Sequence, residues 1–179
     1  NLIEKKATTE VIGGNFITTL TVNGVSGGNT TARWGKALNF SIAYKNDGKE
    51  TMYDVEFIMN LSALPKEKGK SIIDWTSLID INKGNLNGET ITWTKKEISG
   101  LGQIKAGGQG TIDFSVDLIS MLAPPSYKDY KIDGTLETKI GKIGNLAVAK
   151  KIQANKITIY IDSDTELESQ ARYYNYSNV

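Results

Sequence analysis

The chain has 179 residues, and its 21 lysines and arginines nearly balance 20 aspartates and glutamates, which gives a formal net charge of +1. This balance argues against a nucleic-acid partner, because nucleic-acid binders show a basic face or stripe. Histidine and cysteine are both absent, which excludes Ser-His-Asp and Cys-His catalysis and zinc sites built from imidazole or thiolate. Carboxylate, lysine, tyrosine and hard-metal chemistry remain open.

The sequence contains no run that approaches the roughly 20 apolar residues of a membrane helix, so we expect no direct membrane insertion. It begins with Asn1 and carries no signal peptide, and we interpret it as a processed or excised part of a longer product. The absence of cysteine fits a bacterial or archaeal surface protein better than a secreted eukaryotic domain. The absence of cysteine also fits a cytosolic chain, so composition alone does not decide the location.

Alternating apolar residues predict strands along the first third of the chain. A first strand is predicted over residues 10–23 and a second over 37–46, with a flexible loop at 25–31 between them. Asn46-Asp47-Gly48 favours a hairpin turn, because these residue types tolerate positive φ. A third strand is predicted over 51–62.

The middle of the chain mixes turn signals with short apolar runs. Residues 66–70 are predicted to form an exposed loop, and residues 72–81 are compatible with either a short helical turn or a crossover strand. Asn87-Gly88 predicts a second tight turn. It leads into a strand at 90–95, and a Gly-rich segment follows at 99–110.

The last third of the chain again predicts strands. A strand over 110–119 ends before Ala123-Pro124-Pro125, alternation resumes at 130–140, a turn covers 141–145, and one long strand is predicted over about 147–161. Eight or nine short strands with no convincing long helix predict an all-β antiparallel β-sandwich. The expected centre of its core is Leu38, Phe40, Val55, Phe57, Trp93, Phe114 and Val116.

The order of elements between residues 35 and 118 follows a recognisable pattern. Gly35 precedes the strand and turn LNFSIAYKNDG (38–48), Tyr53-Asp54-Val55 opens the next strand, NGETITW (87–93) ends a short strand in tryptophan, and a Gly-rich turn leads into TIDFSV (111–116). In this order they resemble the immunoglobulin-like conserved repeat domain of bacterial and archaeal cell-surface proteins. The resemblance implies an immunoglobulin-like fold and a place among the tandem units of stalks, adhesins and envelope proteins.

We expect one sandwich domain over residues 1–179. Its repeat-like core would span 35–118, with added strands at 10–23 and 130–161 that enlarge the sandwich at both termini. Residues 162–179 would be a linker or the start of a following repeat, or else a frayed or docked terminal strand.

Carboxylates cluster after the last predicted strand, where Asp162, Asp164, Glu166 and Glu168 alternate along the chain. Several oxygen ligands from a flexible loop can bind a hard cation such as calcium. The glycine and the spacing of an EF-hand are missing, and a solvated strand face is the alternative. Calcium is the one cofactor that the sequence leaves open.

Aromatic side chains are the candidates for ligand binding. Trp34 and Trp75 lie in loop-like contexts, and Tyr173 and Tyr174 could extend a flat platform on which a sugar stacks. Trp93 is in phase with apolar strand residues and is expected in the core instead.

Five carboxylates could in principle serve catalysis, but the sequence pairs none of them. Glycoside hydrolysis needs two carboxyl groups at a defined separation in a cleft. Most of the candidates alternate with core residues and are expected to face water, so we expect no enzyme activity. They are Glu56, Asp74, Asp80, Glu89 and Asp113.

A self-formed Lys–Asn amide crosslink, which occurs in some surface repeats, needs a desolvated lysine. Lys36 and Lys45 flank core strands, and Asn39 or Asn60 could be the partner, but the spacing selects no pair. The alternative is that these side chains are exposed.

Three N-x-S/T sequons, which matter only where the source glycosylates such sites, begin at Asn29, Asn60 and Asn175.

Together these features favour a non-catalytic structural or adhesive module of a cell-surface protein. It would act as a spacer or stalk repeat, with neighbouring repeats or copies of itself as partners. One alternative is a self-assembling envelope or filament subunit joined by terminal strands, with residues 1–10 or 162–179 exchanged. The other is a carbohydrate- or receptor-binding module whose partner is a surface glycan or receptor.

Overall fold

The computed structural model describes residues 16–66, 69–119 and 130–162. Within these ranges the chain forms thirteen β-strands and a short 3-10 helix at Ser99–Gly102. The strands are β1 (Phe16–Val22), β2 (Val25–Ser26), β3 (Gly28–Arg33), β4 (Ala37–Asn46), β5 (Met52–Leu64), β6 (Ile73–Asp80), β7 (Asn85–Asn87), β8 (Thr90–Trp93), β9 (Gln103–Ile104), β10 (Gln109–Leu118), β11 (Lys131–Ile143), β12 (Leu146–Gln153) and β13 (Ile157–Asp162).

Five strands form one sheet, in the order β2-β1-β4-β10-β6. The central strand β4 pairs antiparallel with the whole length of β1 on one side and with β10 on the other, so that Phe40 lies opposite both Val22 and Phe114. Alternate residues of these strands are apolar, which gives the sheet one face for the core and one for solvent.

Eight strands form the other sheet, in the order β3-β13-β11-β5-β8-β7, with β12 added to β11 and β9 added to β5. The two 13-residue strands β5 and β11 form its centre. Every pair in the described sheets is antiparallel except β13 with β3, which run parallel. The predicted antiparallel sandwich is confirmed, and this one edge pair is parallel because no hairpin joins the two strands and fixes their direction.

The apolar sides of the two sheets meet in one core, and the fold is an immunoglobulin-like β-sandwich. The ring of Phe114 stacks on Phe40, with centroids 4.8 Å apart, and lies 5.4 Å from the ring of Trp93. Trp93 is completely buried, and its Nε1–H donates a 2.7 Å hydrogen bond to Oδ2 of Asp80 on the opposite sheet. Every residue expected at the centre of the core is buried, namely Leu38, Phe40, Val55, Phe57, Trp93, Phe114 and Val116.

Most predicted strands are confirmed, with bounds that differ from the predicted ones by at most a few residues. Of the first predicted strand, residues 16–22 form β1, and residues 10–15 lie outside the described part of the chain. The strands predicted at 37–46, 51–62, 90–95, 110–119 and 130–140 are β4, β5, β8, β10 and β11.

Residues 25–31 form strands β2 and β3 rather than the expected flexible loop. Asn23 and Gly24 have φ values of 48° and 81°, and two residues with positive φ make the type I′ turn that closes a tight hairpin. The turn brings Val25 opposite Val22. The segment is rich in Gly, Ser and Thr and lacks apolar alternation, so the pattern that predicts strands is absent from it.

Asn46-Asp47-Gly48 turns the chain but does not form the expected hairpin, because β4 and β5 lie in different sheets. The side chain of Asn46 is completely buried. Its Nδ2 donates to the carbonyls of Glu50 and Ile104 at 2.8 and 3.0 Å, and its Oδ1 accepts from the amide of Gly48 at 3.1 Å. The residue types predict a turn, but the packing of the apolar faces decides which strand lies beside which.

Residues 72–81 contain the crossover strand β6, one of the two expected alternatives. The register of β6 on β10 jumps between Asp74 and Ile79, so the residues between them bulge out of the ladder. Oδ1 of Asp74 accepts from the amide of Thr76 at 3.0 Å, which is an Asx turn. This local turn explains why the apolar spacing of the segment mixes helical and strand periods.

The single strand expected over 147–161 is two strands, β12 and β13, separated by residues 154–156. Both pair with β11, β12 as a hairpin and β13 farther along the same edge. At the break, the side chain of Asn155 hydrogen-bonds the backbone of Leu20 in the other sheet. A tertiary contact of this kind leaves no mark on the local periodicity of the sequence.

Candidate interaction surfaces

The outer face of the five-stranded sheet carries small, mostly uncharged side chains. Ser41 on β4 lies opposite Thr21 on β1 and Asp113 on β10, and the alternation of a strand directs these side chains away from the core. We call this surface the threonine–serine face. Its members are Ile17, Thr19, Thr21, Asn39, Ser41, Ala43, Lys45, Gln109, Thr111, Asp113, Ser115 and Asp117.

Two isoleucines stand at one end of the threonine–serine face. Ile79 is 68% exposed and Ile81 is 86% exposed, and with Ser41 and Ser115 they line a shallow groove of about 460 Å³. Toward the other end, the exposed Ile17 lines a second groove of about 440 Å³. Grouped apolar side chains with this exposure are typical of surfaces that contact another molecule.

The outer face of the eight-stranded sheet instead carries several ion pairs. Nζ of Lys139 lies 3.7 Å from Oε2 of Glu56, and Nζ of Lys151 lies 3.6 Å from Oε1 of Glu137. Exposed pairs of this kind contribute about 0–1 kcal/mol each to stability. We call this surface the charged face, defined by Glu56, Lys131, Asp133, Glu137, Lys139, Lys151 and Lys156.

Asp133 is the most strongly coordinated carboxylate of the charged face. Nζ of Lys156 and Nζ of Lys131 lie 3.4 and 3.5 Å from its Oδ2, and the hydroxyl of Thr158 donates to its Oδ1 at 2.7 Å. Burial by itself would raise the pKa of Asp133, but the hydrogen bonds from Thr158 and Lys156 and the charges of both lysines outweigh burial. The pKa of Asp133 therefore lies below its ordinary value of 3.8.

The two outer faces differ in what it costs to cover them. Removing water from ion pairs carries a desolvation penalty that their mutual attraction often fails to offset. Burying hydroxyl and amide side chains costs less free energy if they form new hydrogen bonds. Burying the exposed Ile17, Ile79 and Ile81 is favourable. The threonine–serine face is therefore the better docking surface of the two.

The aromatic residues proposed as a sugar platform have different surroundings. The half-buried ring of Trp34 packs edge-on against Tyr130, with centroids 4.9 Å apart. Trp75 is also half-buried and packs against the core from the bulge of β6, and its Nε1 has no hydrogen-bond partner among the described residues. Tyr173 and Tyr174 lie outside the described residues, so the sugar platform stays a prediction.

The predicted calcium site lies mostly beyond the described chain. Asp162 is exposed at the end of β13, whereas Asp164, Glu166 and Glu168 fall in the undescribed residues 163–179. Within the described ranges, no group of three or more acidic side chains is placed to hold a metal ion. Calcium binding by these carboxylates remains a prediction.

The five candidate catalytic carboxylates have separate environments. Asp80 is bonded to Trp93 and also accepts from the amides of Asn82 and Gly84 at 2.8 and 2.6 Å. Asp74 forms the Asx turn in β6, and Asp113 is exposed on the threonine–serine face. The remaining two lie in ion pairs, Glu56 with Lys139 and Glu89 with Lys66.

The lysines considered for an amide crosslink lie at the surface. Lys36 is exposed, and the 47% exposed side chain of Lys45 pairs with Asp47 at 2.7 Å. Of the two possible partners, Asn39 is exposed and Asn60 donates from its Nδ2 to the hydroxyl of Thr90 at 3.0 Å. A crosslink lysine must be desolvated to lose its proton, and this requirement is not met at Lys45. Of the three sequons, Asn29 and Asn60 lie in β3 and β5, and Asn175 lies outside the described residues.

Two of the features described above were not predicted from the sequence. The sequence does carry a signal for the threonine–serine face. The outward positions, which alternate with the core residues of β1, β4 and β10, are mostly Thr, Ser, Asn and Ala. The contact between Asn155 and Leu20 joins residues 135 positions apart and has no local signal.

The described residues form no helix long and apolar enough to cross a membrane.

No protein-family model matches the sequence, and no curated protein matches it. Solved structures do show similarity. The first is a variant of BcpA, the major pilin subunit of Bacillus cereus, with 11% identity and a TM-score of 0.48 over 82% of this chain and 40% of the pilin. The second is the alkylpurine DNA glycosylase AlkC of Pseudomonas fluorescens, with 10% identity and a TM-score of 0.44 over 84% of this chain and 31% of the glycosylase.

A third similar structure is a cohesin module from a family 33 glycoside hydrolase of Clostridium perfringens. It has 11% identity and a TM-score of 0.42 over 82% of this chain and 96% of the cohesin. The chain thus spans less than half the length of the pilin and the glycosylase. Because all three TM-scores fall below 0.5, none of the three supports a conclusion about function.

Proposed function

We propose that this chain is a non-catalytic structural or adhesive module of an extracellular cell-surface protein, which packs through its threonine–serine face against a neighbouring repeat or a second copy. The observation that carries the proposal is the contrast between its two outer faces. One carries mostly small, uncharged side chains and is edged by exposed isoleucines, with Lys45, Asp113 and Asp117 as its charged members, and the other carries several ion pairs.

The chemistry of the threonine–serine face suits a protein partner better than a small ligand. Its grooves are shallow, and small side chains such as Ser41 and Ser115 line them. A sugar site would need an exposed ring to stack against, and the described members of this face include no aromatic residue. A flat sheet surface with an apolar rim can instead match a second flat surface.

Aspartate substitutions at the two exposed isoleucines test the proposal. Ile79→Asp and Ile81→Asp alter side chains that are 68% and 86% exposed, so the fold should persist and circular dichroism should not change. Sedimentation velocity of the full chain over a wide concentration range should show self-association that each change weakens by about tenfold or more, as expected when an apolar contact is replaced by a charge.

The matched control is Leu146→Asp, which places the same charge at an exposed leucine on β12 of the other sheet. It should leave the association unchanged. The proposal is contradicted if wild-type chain stays monomeric at every concentration, or if Leu146→Asp weakens association as much as Ile79→Asp does. A purely monomeric chain would favour the alternative function, glycan or receptor binding.

A further inference from the structure

The sequence contains two Asn-Gly pairs, Asn23-Gly24 and Asn87-Gly88, and both lie at hairpin turns. Asn23-Gly24 joins β1 to β2, and Gly88 follows the last residue of β7 in the turn to β8. Each glycine has a positive φ, and a Cβ placed on it would meet no atom within 4 Å apart from its chain neighbours. Both glycines are open in this sense, so a difference between the two pairs depends on the asparagines.

An asparagine that precedes glycine can lose its side-chain amide without an enzyme. The main-chain nitrogen of the glycine attacks Cγ of the asparagine, and glycine has no Cβ to hinder the approach. The new N–Cγ bond closes a succinimide ring, the Cγ–Nδ2 bond breaks, and Nδ2 leaves as ammonia with the proton of the glycine N–H. Water then opens the ring at either carbonyl and gives aspartate or isoaspartate.

The side chain of Asn87 is free to react in this way. It is exposed, as is every residue of the three-residue strand β7, which pairs only with β8 in the described sheets. Neither this side chain nor the N–H of Gly88 has a hydrogen-bond partner among the described residues. A short exposed edge strand opens locally at low cost, so the Gly88 nitrogen can reach Cγ of Asn87.

The side chain of Asn23 is instead held by the neighbouring strand β4. Its Oδ1 accepts from the main-chain N–H of Asn39 at 3.0 Å and from Nδ2 of Asn39 at 3.4 Å. The N–H of Asn23 also donates to the carbonyl of Asn39 at 2.8 Å. Attack by the Gly24 nitrogen requires the Asn23 side chain to turn away from its partners, and breaking these hydrogen bonds raises the barrier.

We propose that Asn87-Gly88 is a self-modification site, at which the Gly88 nitrogen displaces the side-chain amide of Asn87, and that Asn39 protects the same pair of residues at Asn23-Gly24. Water is the only co-reactant. The aspartate product adds a negative charge beside Glu89, and the isoaspartate product lengthens the main chain by one carbon atom at the end of β7. The site is independent of the surface contact that the proposed function uses.

Peptide mass spectrometry of the full chain, incubated at neutral and mildly alkaline pH, tests the assignment. The peptide with residue 87 should gain the mass difference between OH and NH₂ and should resolve into two products of equal mass. It should react about tenfold faster or more than the peptide with residue 23, because Asn23 must first lose its hydrogen bonds. Equal rates in the folded chain, or a faster rate at Asn23, would overturn the proposal.

The unfolded chain supplies the matched control. In guanidinium chloride both pairs lose their tertiary contacts, and the two rates should become similar. In the same denaturant, where folding of the variant does not matter, Gly88→Ala should slow the reaction at Asn87 about tenfold or more, because the added methyl group hinders the attacking nitrogen. An unchanged rate in Gly88→Ala, or a wild-type reaction at Asn87 that occurs only in guanidinium chloride, would contradict attack by Gly88 in the folded chain.

Discussion

At the scale of single residues, a few polar side chains between the sheets fix how the two sheets are joined. Asp80 anchors the indole of Trp93 across the core, and Asn46 satisfies the carbonyls of Glu50 and Ile104. The burial of Trp93 was predictable from its phase in the strand. The partners of Asp80 and Asn46 were not, because each contact depends on a segment distant in sequence being brought near by the fold.

Thr138 is a buried residue whose replacement should stabilise the protein. Its side chain is completely buried, and its hydroxyl has no hydrogen-bond partner among the described residues. Thr138→Val keeps the shape and removes the unpaired polar group, so the free energy of unfolding should rise by about 1 kcal/mol. Urea denaturation of both proteins measures the change.

The control for this substitution is Thr135→Val on the same strand, where the side chain is only partly buried. It makes the same chemical change and should alter stability far less. A loss of stability in Thr138→Val would contradict the interpretation and indicate that the hydroxyl is hydrogen-bonded in solution.

The depressed pKa of Asp133 predicts a dependence of stability on acid. A carboxyl whose pKa is lower in the folded than in the unfolded state adds stability above the unfolded value and loses it as pH falls through the folded one. That contribution should be present above the ordinary pKa of 3.8 and should disappear at lower pH. Asp133→Asn should therefore be less stable than wild type near neutral pH, and the difference should shrink in acid.

Urea denaturation of both proteins from neutral pH down to acid pH measures this difference. The control is Asp117→Asn, which changes an exposed carboxylate on the other sheet. An Asp133→Asn difference that stays constant across the pH range would rule out Asp133 as the titrating group.

At the scale of strands, periodicity predicts which residues face the core more reliably than it predicts which strands are neighbours. The alternation in β4, β5 and β10 gives their inward faces correctly, because burial acts on each strand separately. Asn87-Gly88 is confirmed as a tight hairpin, with Asn87 opposite Thr90. The turn at Asn46 crosses between the sheets instead, and no feature of its three residues distinguishes the two outcomes.

The register of β10 between β4 and β6 can be tested at Phe114. This side chain is 4% exposed and lies against the rings of Phe40 and Trp93. Phe114→Ala should lower the free energy of unfolding by about 3–5 kcal/mol, because the cavity cannot collapse between two large rings. Ser115→Ala, on the opposite face of the same strand, is the control. A denaturation midpoint unmoved by Phe114→Ala would show that the register is wrong.

At the scale of the whole molecule, the near-zero net charge conceals an uneven distribution. Several charged side chains of the eight-stranded sheet are paired with one another, whereas the outer face of the five-stranded sheet carries mostly small, uncharged side chains beside Lys45, Asp113 and Asp117. The near-zero net charge argues against a basic nucleic-acid surface, but it does not reveal this asymmetry. Which polar residues share a surface depends on how strands from distant parts of the chain are ordered in each sheet.

The threonine–serine face is proposed to contact a second copy or an adjacent repeat of the same protein. The most direct measurement is photo-crosslinking on the surface of producing cells, with a photoreactive amino acid at Ser41 and, as the control, at Thr135 on the other sheet. We predict that Ser41 yields a crosslink to a second copy or an adjacent repeat of the same protein and that Thr135 does not. A crosslink from Ser41 only to a different protein or a glycan, or no crosslink at Ser41, would contradict the account.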